Sequence, residues 1–145
     1  MINEINKAWG WIGFEAEKVL LTNDFGNVIF RSVDKKFWRL IPEELTCVVI
    51  AENEEQLNSL FLDPEFRLDW EMQSLVEMAK SKLGELEGIK KFYFIKPNVI
   101  GGEYDIRNMA SINHKTLINI SGNMAYQIKD LPDGAEIELV FNSKK

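Results

Sequence analysis

Residues 18–50 read KVLLT–NDFGN–VIFRSV–DKK–FWRL–IPEEL–TCVVI, and this stretch decides the fold. Lys18 to Thr22 is a short strand by composition. Asn23-Asp24-Phe25-Gly26-Asn27 is a turn by chemistry, because Asn and Asp tolerate left-handed backbone and Gly supplies positive φ. Val28 to Val33 and Phe37 to Leu40 read as strands around the polar turn Asp34-Lys35-Lys36. Thr46 to Ile50 is β-branched and apolar, which predicts a buried strand. Short strands joined by short turns predict a mainly antiparallel sheet.

Outward from this stretch the pattern becomes helical. Ile5, Ala8, Trp9 and Ile12 share one helical face over Ile2 to Ile12. Leu57, Leu60 and Phe61 fall at i, i+3, i+4 in a first helix. Asp63-Pro64-Glu65 then has the chemistry of a fresh start: Asp as cap, Pro at the first helical position, Glu in the first turn. Met72, Leu75, Val76, Ala79 and Leu83 extend that second helix, with Gly84 placed to end it. Lys91 to Ile95 is an aromatic strand, and Lys96 to Asp105 is a loop around Pro97 and Gly101-Gly102. Leu117, Ile120, Met124 and Ile128 mark a last helix that contains Gly122, at a cost of about 1 kcal/mol relative to Ala. Asp133-Gly134 turns into a final strand in which Ile137, Leu139 and Phe141 alternate with Glu136 and Glu138. Strands and helices are segregated, so the expected class is α+β with two to four packed helices. The expected organisation is an N-terminal extension over 1–22, holding a short helix and strand, and a domain over 23–142, all in one compact unit.

Composition bounds the function. The 145 residues are 46% apolar and 28% charged. A chain of this length buries roughly 70% of its unfolded surface on folding and needs no staple. One cysteine, Cys47, excludes an internal disulfide, and one histidine, His114, with one cysteine cannot supply the usual four ligands of a zinc site. No metal or organic cofactor is expected. The net charge of −6 disfavours nucleic-acid binding through phosphate neutralisation. The N-terminus has no basic region followed by an apolar stretch, and no apolar run approaches membrane-spanning length. The expectation is a cytoplasmic protein with no membrane contact.

Residues with chemical potential each have a plainer reading. Gly101-Gly102 with Glu103 and Asp105 could approach an anion or ligate a hard cation. However, the stretch lacks the Gly-Lys-Ser/Thr of a phosphate loop and reads as a tight turn. Glu103, Asp105 and His114 are the residues a small hydrolase would use, but no nucleophile lies near His114, which reads as a surface histidine. Cys47 sits in an apolar strand with no base to activate it and reads as a small buried hydrophobe. Trp9 and Trp38 read as core; Trp11 and Trp70 flank polar sequence and suit partial exposure at a protein interface. No catalytic residue is assigned.

Acid placement is the most informative raw feature. From Glu43 to Glu71 there are nine acids against one base, Arg67, so this block carries −8 and the remainder of the chain +2. A solvated helical face would have this pattern. So would a docking surface for a basic protein. The residues expected to make that contact are Glu52, Glu54, Glu55, Asp63, Asp69 and Glu71, which lie off the apolar stripe, together with Trp70.

Several segments occur together in a familiar order: Asn23-Asp-Phe-Gly-Asn27, Phe37-Trp-Arg-Leu-Ile-Pro-Glu-Glu44, Asp63-Pro-Glu-Phe66, Gly101-Gly-Glu-Tyr-Asp105, Ser121-Gly-Asn-Met-Ala-Tyr-Gln127 and Lys129-Asp-Leu-Pro-Asp-Gly134. This set, spanning Asn23 to Val140, resembles the C-terminal domain of the type VI secretion immunity protein family, whose namesake protects against a secreted DNase. Longer members carry a GAD-like domain upstream. The resemblance implies a non-enzymatic bacterial protein that neutralises a toxin, possibly a nuclease, by direct contact, and it supplies no catalytic residues. A basic toxin surface is the partner it implies for the acidic block. The other reading is an intracellular scaffold or regulatory module, as among the broader SUKH-type proteins. One stability test follows from the turn. At least one of Gly101 and Gly102 should hold positive φ, and Gly→Val there should cost about 1 kcal/mol or more in chemical denaturation.

Overall fold

Four strands from the N-terminal half form an antiparallel meander in chain order: β1 (Ala16–Thr22), β2 (Val28–Ser32), β3 (Phe37–Ile41) and β4 (Thr46–Ala51). The structure is a computed structural model, and it describes residues 1–131. The expected turn at Asp133-Gly134 and the strand through Ile137, Leu139 and Phe141 lie outside the described residues. Alternation along the strands sends two sets of side chains to opposite faces. Val28, Phe30 and Leu40 enter one core with Ile5, Trp9 and Ile118, while Ile29 and Phe37 enter another with Ala51 and Leu57.

Helices cover both faces. On the first lie α1 (Ile2–Trp9) and α5 (His114–Ile128), joined where the Trp9 indole Nε1 donates to the Ile118 carbonyl at 3.2 Å. On the second lie α2 (Glu54–Leu62) and α3 (Pro64–Glu71), with Phe61, Phe66 and Trp70 packed against that core. A third cluster joins α4 (Gln73–Leu83) to a small antiparallel sheet of β5 (Lys90–Phe94) and β6 (Met109–Asn113) through Phe25, Ala79, Phe92, Phe94 and Met109. The chain is a single α+β domain in which residues 1–22 contribute α1 and β1 to the main core.

Three local expectations are corrected. The second helix does not run from Pro64 to Leu83. It breaks at Met72, whose φ of +49° ends α3 and starts α4. The apolar stripe persists across the break, so periodicity could not show it. The Asn23 side chain donates to the Trp70 carbonyl at 2.8 Å and satisfies a group the helix would otherwise have used. Next, β4 is not fully buried: it is an edge strand, with Val48 46% exposed and only Cys47 and Ala51 buried. Finally, the sequence pattern predicts no strand at β6. Met-Ala-Ser-Ile-Asn has weak strand propensity and is held by its pairing with β5 from Lys90↔Asn113 to Phe94↔Met109.

Both ends of Asp63-Pro64-Glu65 behave as read. Asp63 accepts from the Glu65 backbone N–H at 3.0 Å, and Pro64 opens α3. Gly101 holds φ +102°, and a Cβ on Gly102 would stand 1.8 Å from the Lys96 carbonyl oxygen, so both glycines serve the turn.

At Gly122 the backbones of α1 and α5 approach closely. A Cβ there would lie 2.5 Å from the Ala8 carbonyl oxygen and 2.8 Å from its Cβ. The helix-propensity gain of about 1 kcal/mol from Gly→Ala is therefore opposed by overpacking of about 1–3 kcal/mol. Gly122→Ala should lower stability in urea denaturation, and a stabilised variant would show that the two helices do not cross at this residue.

Candidate functional site

The acidic helices are fixed to the sheet by a buried polar chain. Asn27, fully buried at the end of the Asn23–Asn27 turn, uses both ends of its amide. Its Oδ1 accepts from Arg39 Nε at 3.1 Å and Nη2 at 2.9 Å, and its Nδ2 donates to Glu43 Oε1 at 3.0 Å. Arg39, 6% exposed, reaches from the α3 side of β3 to Asp69 Oδ2 at 2.5 Å. Its guanidinium carbon lies 5.1 Å from the centre of the Trp70 ring. A guanidinium suits this position because its donors lie in a rigid plane that also stacks on an aromatic face. Asn27 and Asp69 together satisfy a buried cation, and the Asp69 end of that pairing ties α3 to β3.

Glu43 belongs to the −8 block, yet it is not on a solvated face. It lies in the one-turn helix Pro42–Glu44 that follows β3, and it is buried. Burial pushes its carboxyl up from 4.5 to about 7, partly offset by hydrogen bonding and by the Arg39 charge. With Arg39 and Asn27, Glu43 is the part of the site that sequence reading missed. The one signal available was an arginine inside an apolar strand, four residues before the glutamates.

The residues singled out from sequence fall as follows. Glu52, Glu54, Glu55, Asp63, Asp69 and Glu71 are all exposed and run from the end of β4 along α2 and α3. Glu54 and Glu55 occupy the first turn of α2 behind the cap Asn53, where negative charge also complements the helix dipole. Asp69 differs from the rest in holding Arg39. Trp70 is half-buried beneath that guanidinium, and Trp11 is 38% exposed. Two large apolar side chains, Leu62 and Leu68, stand exposed among the acids.

Asp105 and His114 are each occupied separately, and Glu103 is exposed. Asp105 caps the turn at Arg107 and pairs with its side chain, which holds the carboxyl below its usual range. His114 is not a surface residue: it is 5% exposed, and its Nε2 donates to the Gly26 carbonyl at 2.9 Å. Burial lowers its pKa. The sequence missed this because its partner lies 88 residues away. Cys47 is buried, which raises its thiol pKa. Among the described residues no three His, Cys, Asp or Glu side chains converge as metal ligands. No described helix is long and apolar enough to cross a membrane.

Beside this network a cleft of about 430 Å³ opens between α3, α4, the Pro42–Glu44 turn and the loop at Tyr104. Arg39 and Glu43 form its buried part, and Glu44, Leu68, Asp69, Glu77 and Tyr104 its exposed part.

The exposed acids of α2 and α3, and most of the cleft, lie in a stretch that a family model matches. The model described as T6SS immunity protein Tdi1, C-terminal, matches residues 51–125, just over half of the chain. The chain belongs to this family of type VI secretion immunity proteins, the one its sequence segments resemble. No curated protein matches it.

A pH test isolates Glu43, which faces Arg39, Glu44, Asp69 and Tyr104. Its folded pKa of about 7 lies above the ordinary 4.5, so the folded chain holds a proton the unfolded chain has released across that window. Stability from this group is complete below pH 4.5 and is lost as pH rises through 7. Glu43→Gln keeps an acceptor for Asn27 and carries no titrating proton. The variant should match the parent near pH 5 and exceed it at pH 8, by 3 kcal/mol at most on the order of magnitude. Parallel stability curves from pH 4.5 to 8 would contradict the assignment.

Proposed function

We propose that the protein is an immunity protein that neutralises its toxin by direct contact through the acidic α2–α3 layer, without catalysis of its own. The observation that carries this reading is the coincidence of two things in one stretch: the family match over residues 51–125 and the exposed acids Glu52, Glu54, Glu55, Asp63, Asp69 and Glu71. A toxin acting on nucleic acid must present a basic groove, and an acidic layer held rigidly by Arg39 and Trp70 complements such a groove. Exposed Leu62 and Leu68 add apolar contact inside a charged rim, the usual composition of a binding surface. Trp70 supports the layer from beneath and contributes its exposed edge. The site of action on this reading is the cytoplasm, where an incoming nuclease meets its substrate.

The test is co-expression with the toxin encoded beside the gene, scored by survival and by co-purification. Rim charges act mainly on encounter rate. A variant with Glu52, Glu54, Glu55 and Glu71 changed to lysine should associate on the order of tenfold more slowly at low salt and lose its salt dependence. Single changes should cost about 1 kcal/mol or less. An on-rate unchanged across a salt series would reduce the layer to a solvated face. Absence of any toxin partner would favour the scaffold reading.

A further inference from the structure

We infer that the cleft between α3, α4 and Tyr104 is a socket for an arginine side chain of the protein partner, and so the anchoring point of the interface. This rests on the reading that the partner is a basic protein. It moves the anchor away from the acids of α2 to residues outside that set: Glu43, Glu44, Leu68, Glu77 and Tyr104.

Three observations support the inference. First, the site is concave, with about 430 Å³ available, whereas the acids of α2 stand on a convex helical surface. Anchors of protein interfaces occupy such pockets, and flat rims contribute less. Second, the charge inside is unbalanced. Asp69 is paired with Arg39, whose charge also acts on Glu43, and no cation of the cleft is paired with Glu44 or Glu77. Glu43 is only 7% exposed on the cleft wall, held by Asn27, by a backbone hydrogen bond and by the Arg39 charge. Burial keeps its proton affinity high while the socket is empty, and an entering cation would favour the ionised form.

Third, the walls are shaped for a planar cation. Tyr104 is 54% exposed and is held edge-on to Phe94 at 5.3 Å by the turn at Gly101-Gly102. Its ring lines the cleft together with Glu43, Glu44 and Asp69. Leu68, 68% exposed, adds apolar surface to the same cleft. A guanidinium stacks on an aromatic face while its edge donors meet carboxylates; an ammonium uses only the second of these.

The probe is N-acetyl-arginine-N-methylamide, titrated into the full chain and followed by amide chemical shifts, with the lysine and norleucine counterparts alongside. Saturable shifts should be confined to residues around Glu44, Leu68 to Glu77 and Tyr104, with arginine stronger than lysine and norleucine silent. The exposed double variant Glu44→Gln with Glu77→Gln should weaken binding about fivefold or more, the scale of losing charged hydrogen-bond partners. Glu85→Gln with Glu87→Gln, which removes the same charge outside the cleft, should leave it unchanged. Shifts spread evenly over all acidic residues, equal weakening by both double variants, or no saturable binding would each overturn the socket. The titration contains no toxin, so its failure leaves the immunity reading standing. That reading falls on survival and co-purification alone.

Discussion

Asn23–Asn27 is the constraint on which the rest depends. Five residues contact every other layer. Asn23 folds the turn on itself by accepting from the Phe25 and Asn27 N–H groups at 3.1 and 2.9 Å, and its amide also terminates α3 at Trp70. The Asp24 carbonyl accepts from Phe92 of β5, Phe25 enters the cluster of the small sheet, and the Gly26 carbonyl receives His114 of α5. Asn27 links Arg39 to Glu43. A left-handed residue is required at Gly26, whose φ is +72° and where a Cβ would stand 2.6 Å from Leu117.

The same turn explains why an acidic layer can be rigid. Seven carboxylates over α2 and α3 and the end of β4 repel one another and by themselves favour loosening. One buried arginine, satisfied by Asn27 and Asp69 and stacked on Trp70, holds the layer against the sheet. The anchoring charge lies beneath the layer and pairs with Asp69, while Glu54, Glu55 and Glu71 stay exposed on the outer face. A surface preorganised in this way loses little freedom when it meets a partner.

Membership in an immunity family supports the binding role proposed for the acidic layer. The residues a hydrolase would have used are dispersed among structural tasks: Asp105 caps a turn and His114 clamps Gly26. The perturbed carboxyl, Glu43, stands over the cleft as part of the buried chain through Asn27.

Much of this molecule was legible in its sequence, because the forces involved are local. Alternation placed β2 and β3, turn chemistry placed Asn23–Asn27 and Gly101-Gly102, and a cap followed by proline placed the start of α3. The segment order also carried the family. The break at Met72, the pairing that creates β6, the burial of His114 and the inward turn of Glu43 were decided only by tertiary structure. Each depends on a partner far along the chain: Asn23 for α3, β5 for β6, Gly26 for His114, Asn27 for Glu43. Periodicity and propensity describe what a residue does to its neighbours in sequence. They carry no information on which distant polar group will be close enough to satisfy a buried one, and here those distant pairs shape the cleft.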